Sequence, residues 1–62
     1  MNIINGRKYV LRNGDVVGPI TRSESIATFC MKFGTHYWDE RGFEFGPEYI
    51  SEFDIVSEYD GD

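Results

Sequence analysis

Val10-Leu11-Arg12-Asn13-Gly14-Asp15-Val16-Val17 decides the fold class. Aliphatic and β-branched residues flank an Asn-Gly pair, and Asn-Gly supplies the positive φ angles of a two-residue type I′ turn. Tyr37-Trp38-Asp39-Glu40-Arg41-Gly42-Phe43-Glu44-Phe45 repeats the arrangement with aromatic flanks, and Gly42 takes a left-handed position. Outward from these hairpins, strands are predicted at Lys8 to Arg12, Asp15 to Ile20, Thr35 to Asp39, Phe43 to Phe45 and Phe53 to Tyr59. Gly18-Pro19 ends or bends the second, because proline donates nothing to a ladder. Residues 1–6 read as a lead-in or short edge strand, Glu48 to Glu52 as a connector with the length of one helical turn, and residues 60–62 as a frayed end. The expectation is a mainly β single domain over residues 1–62, either a small antiparallel five-stranded sheet or a partly open SH3-like barrel.

Thr21 to Phe33 supports two readings. Thr21-Arg22-Ser23-Glu24 fits a capping box, Ile26, Phe29, Cys30 and Phe33 share a helical face, and Gly34 stands where a C′ glycine belongs. That pattern predicts one short helix within residues 21–33. Phe29, Met31 and Phe33 also alternate with Cys30 and Lys32, which is a strand pattern.

A chain of 62 residues holds one domain at most and buries only about 60% of its unfolded surface. Ten aromatic residues compensate: Tyr9, Phe29, Phe33, Tyr37, Trp38, Phe43, Phe45, Tyr49, Phe53 and Tyr59 each carry ~150 to 250 Å² of buriable area. Cys30 is the single cysteine, so no internal disulfide forms, a reducing compartment is expected, and its apolar neighbours predict a buried thiol. No stretch has the apolar length of a membrane span and the first residues do not form a secretory signal, so the expected location is cytoplasmic.

Charge is unevenly distributed. Residues 1–47 carry six Lys/Arg and five Asp/Glu, whereas residues 48–62 carry six acids and no base, so the net charge of −5 comes from the tail. General nucleic-acid binding, which needs a basic face, is not expected. An acidic tail suits a partner with a basic surface.

His36 is the single histidine, and pairing it with Asp39 or Glu40 as acid and base lacks a nucleophile, a metal and a closed pocket. On a strand it shares a face with Trp38, so stacking on the indole is the expected outcome. Cys30 and His36 do not make a four-ligand zinc set, the tail acids lack a calcium loop, and the glycines sit in turns rather than in phosphate loops. The expectation is a non-enzymatic protein with no cofactor, no metal site and no catalytic residue.

Taken together, Arg12-Asn13-Gly14-Asp15-Val16-Val17-Gly18-Pro19-Ile20, the aromatic stretch Tyr37 to Phe45 and the closing Phe53-Asp54-Ile55-Val56-Ser57-Glu58 resemble a module of very short phage and prophage proteins. In that group an Asn/Asp-Gly hairpin ends in Gly-Pro, an aromatic hairpin follows, and an acidic Asp-Leu/Ile-Val segment closes the chain. The resemblance covers most of residues 7–59, and its group is extended where this chain has Thr21 to Phe33, which moves that segment towards strand. It implies a phage-encoded accessory protein that binds and interferes with a host factor, such as a defence component.

The expected contact set for a host protein with a basic surface is Trp38, Tyr37, Glu48, Glu52, Asp54 and Glu58. A rival reading is a nucleotide-sequestering protein, with His36 and Trp38 stacking on a base and Arg12, Arg22 and Arg41 holding phosphate between subunits. A small structural or regulatory phage protein is the third. Exposed aromatic faces and short edge strands also predict a homo-oligomer.

Overall fold

A computed structural model describes residues 2–23 and 29–61. The described residues form six short strands and no helix: β1 (Tyr9–Leu11), β2 (Val16–Val17), β3 (Thr21–Arg22), β4 (Met31–Phe33), β5 (His36–Trp38) and β6 (Ile55–Glu58). They assemble into two three-stranded antiparallel sheets, ordered β2-β1-β6 and β3-β4-β5. The β-rich class therefore holds, but the described strands form two separate sheets that do not close, where one five-stranded sheet or a partly open SH3-like barrel was expected. Pro19, without an N–H, and Gly18, at φ 134°, interrupt the ladder between β2 and β3. The chain then enters a second sheet instead of extending the first.

The first hairpin differs from the expected turn by one residue. Gly14 has φ 95° and among the described residues none other than glycine has a positive φ, so Asn13 does not adopt the type I′ geometry. The Gly14 amide donates to Leu11 O and the Leu11 amide to Asp15 O, closing a three-residue loop in which Asn13 Oδ1 accepts from the Asp15 amide. Tyr9 then faces Val17, and Val10 faces Val16. A two-residue loop would have set Val10 against Val17, pairing an outward side chain with an inward one. Because Tyr9 and Val17 are both buried while Val16 is exposed, burial selects the longer loop.

Asp39 to Phe43 repeats this turn. The Gly42 amide donates to Asp39 O and the Asp39 amide to Phe43 O, while Asp39 Oδ1 accepts from the amides of Arg41 and Phe43. Gly42 takes the left-handed position, at φ 93°. The aromatic strand expected at Phe43 to Phe45 does not form. β5 pairs with β4 instead, Met31 against Trp38 and Phe33 against His36, across the two-residue loop Gly34-Thr35. Gly34 thus belongs to a hairpin and is no helix cap; Thr21-Arg22 and Met31-Lys32-Phe33 at the two ends of the expected helix are strands paired with each other. The middle of that helix, residues 24–28, lies outside the described residues.

One core joins the two sheets. Tyr9, Leu11, Val17 and Ile55 enter it from the first, Met31 and Trp38 from the second, and Ile3, Ile20 and Cys30 from the connections. The lead-in is part of it: the Ile3 amide donates to Glu40 O and the Gly6 amide to Ile20 O, and Tyr9 Oη accepts from the Ile4 amide at 2.8 Å. No helix of the described residues is long and apolar enough to cross a membrane.

Candidate functional site

With no strand between Trp38 and Ile55, residues 44–54 form a long loop, and Asp54 organises it. Its side chain is 1% exposed, Oδ1 accepts from the Glu44 amide at 2.9 Å and Oδ2 from the Ser51 amide at 3.0 Å. The Arg12 guanidinium lies 3.6 Å from Oδ2 and donates to Ser51 O. A carboxylate buried in this way serves as a backbone clamp. Glu44 adds a second tie, since its Oε1 accepts from Ser51 Oγ at 2.8 Å while Oε2 lies 3.5 Å from His36 Nδ1.

Ser51, Glu44 and His36 therefore stand in line with the carboxylate in the middle. An acyl-transfer relay needs the imidazole between hydroxyl and carboxylate, so this order supports the loop rather than activating Ser51. His36 stacks on Trp38 at 5.8 Å and 24°, as the strand alternation predicts, and also meets Phe53 at 5.1 Å. Asp39 and Glu40 are occupied elsewhere: Asp39 caps its turn, and Glu40 binds Arg22 at 2.8 Å. Among the described residues no group of His, Cys, Asp and Glu is arranged to hold a metal.

The clamp holds an apolar rim in solvent. Phe45, Tyr49 and Ile50 are 63%, 66% and 83% exposed, the most exposed large apolar side chains among the described residues. Phe45 separates two open depressions. One, of about 510 Å³, is bounded by Tyr49, Ile50, Ser51, Glu52 and Phe53; the other, of about 350 Å³, by Phe29, Thr35 and Tyr37; Glu44 and Phe45 border both.

The sequence-derived contact set is divided by this geometry. Trp38 is 0% exposed, its indole N–H donating to Phe53 O at 2.7 Å, and so presents no face to a partner. Asp54 is sealed by its amide partners, and Glu58 is paired with Arg7 at 2.6 Å. Tyr37, Glu48 and Glu52 remain at the surface beside the rim, and among the described residues no hydrogen bond or ion pair engages the two glutamate carboxylates. The rival ligand set does not converge: Arg12 is turned to Asp54, Arg22 to Glu40, and Arg41 lies on the Asp39–Gly42 turn, while the depressions are lined by acids rather than bases.

Phe45, Tyr49 and Ile50 were absent from the sequence-derived set. Their signal was Gly46-Pro47, which stops the Phe43-Glu44-Phe45 alternation and marks a loop in which Tyr49 and Ile50 follow no regular period. Comparison with family models, with curated proteins and with solved structures found no match to this chain.

Proposed function

We propose that the protein is a binding module whose working surface is the 44–54 loop, and that it engages a protein partner carrying basic and apolar groups. The observation that carries this reading is the rim of Phe45, Tyr49 and Ile50, held by a buried clamp and bordered by Glu44 and Glu52, with the exposed Glu48 next to Tyr49 in the chain. Aromatic anchors supply contact energy and acids at the margin steer a basic partner. The resemblance of its hairpins to short phage proteins supports reading the chain as a phage or prophage accessory protein that interferes with a host factor. A nucleotide ligand fits less well, because phosphate would meet carboxylates at both depressions.

Affinity capture from bacterial lysate tests the reading. Ile50→Ser and Tyr49→Ala should each abolish capture of the partner, and Glu48→Lys with Glu52→Lys should weaken it and flatten its salt dependence. Capture that survives all these changes overturns the assignment of this surface. Sedimentation of wild type and Ile50→Ser separates self-association, the remaining use of the rim, from a heterologous partner. In a thermal-shift panel of linear and cyclic nucleotides no ligand should stabilise the fold; a ligand at 100 times its Kd would add about 2.7 kcal/mol and would favour sequestration instead.

A further inference from the structure

The smaller depression has a chemistry of its own. Three aromatic residues, Phe29, Tyr37 and Phe45, border it together with Thr35, and among the described residues Glu44 is the acid and no base borders it. We propose that it is an aromatic cage for an alkylammonium group, the charged end of a lysine side chain, methylated or free. The lysine source rests on the binding reading above; the preference for a cation rests on the lining alone.

Aromatic faces attract cations through the ring quadrupole, within ~6 Å of the centroid and most strongly where water is excluded. Tyr37 already behaves in this way: Lys32, its cross-strand neighbour, sets Nζ 5.9 Å from the ring centroid. The Glu44 side chain is 13% exposed, so its charge is weakly screened. Its contacts to Ser51 Oγ and His36 Nδ1 leave acceptor capacity, since a carboxylate offers about four lone-pair sites. An anion would be repelled there. A neutral apolar side chain would fill the walls yet desolvate Glu44 without replacing its water, which is costly. An open depression of about 350 Å³ has room for a trimethylammonium group.

Titration with tetramethylammonium chloride, against sodium chloride at equal ionic strength, is followed by NMR, alongside peptides that differ in one residue: trimethyllysine, lysine or norleucine. Saturable shifts confined to Phe29, Tyr37, Glu44 and Phe45 are expected, with both lysine peptides binding and the norleucine peptide not. Phe45→Leu, at a side chain exposed enough to leave folding intact, and Glu44→Gln should each weaken binding about fivefold to thirtyfold. Absent or scattered shifts, equal binding of the norleucine peptide, or unchanged affinity in Phe45→Leu overturns the cage. Tetramethylammonium binding without either lysine peptide overturns the lysine source. Partner capture lost in Ile50→Ser but retained in Phe45→Leu and Glu44→Gln removes the cage and keeps the binding reading, whereas ammonium binding without any captured partner does the reverse.

Discussion

Gly14 and Gly42 occupy the same place in two copies of one turn, at φ 95° and 93°, and their surroundings separate two costs of replacing a glycine. A Cβ on Gly14 would meet nothing within 4 Å, whereas one on Gly42 would lie 2.9 Å from Ile55 Cβ and 3.3 Å from Ile55 O. Gly14→Ala should therefore cost the backbone term alone, ~1 to 2 kcal/mol. Gly42→Ala adds overpacking against a core residue and should reach ~2 to 5 kcal/mol in urea melts. Equal losses would show that the Gly42 contact relaxes freely. Asp54 allows a similar test. An asparagine there turns an NH₂ towards the amide of Glu44 or Ser51, leaving a buried donor without an acceptor, so Asp54→Asn should lose ~1 to 3 kcal/mol.

The strands are two to four residues long, and their order depends on turns more than on propensity. Asn13-Gly14 and Arg41-Gly42 were recognisable as turn sites because glycine supplies the left-handed residue that the loop geometry demands. Loop length was not, because Asn-Gly satisfies two-residue and three-residue loops alike and the core chooses between them. Thr21 to Phe33 shows the same limit: its pattern serves strand and helix readings until Arg22 and Trp38 pair with Met31 on its two sides. The 44–54 loop is the element in which clamp and surface meet. Asp54→Ala should raise hydrogen exchange at the Glu44 and Ser51 amides and expose the Phe45–Ile50 segment to proteolysis, while the amides of β1 and β6 remain slow near pH 7. Uniform loss of protection would instead make the loop part of the cooperative core. Arg12 is half-exposed, and the carboxylate keeps its two amide partners without it, so Arg12→Ala should cost only about 1 kcal/mol.

For the molecule as a whole, one core shared by two small sheets leaves Trp38 0% and Cys30 3% exposed. Native Trp38 emission should be blue-shifted and insensitive to iodide, shifting red in the same transition that exposes Cys30. Thiol labelling of Cys30 should be slowed about a hundredfold or more relative to the unfolded chain, because it requires opening of the core; rapid labelling of folded protein would mean that the sheets separate locally. The tail charge is likewise redistributed by folding, with Asp54 taken inward, Glu58 paired to Arg7, and Glu48 and Glu52 left at the apolar rim. Residue order was enough for the β class, the turn positions, the stacking of His36 on Trp38 and the burial of Cys30, because each follows from local backbone chemistry or from alternation along a strand. Loop length, the division into two sheets, the sealing of Trp38 and Asp54 and the exposure of Phe45, Tyr49 and Ile50 depend on which distant residues meet, and a period-2 pattern carries no record of its partners across a sheet or a core.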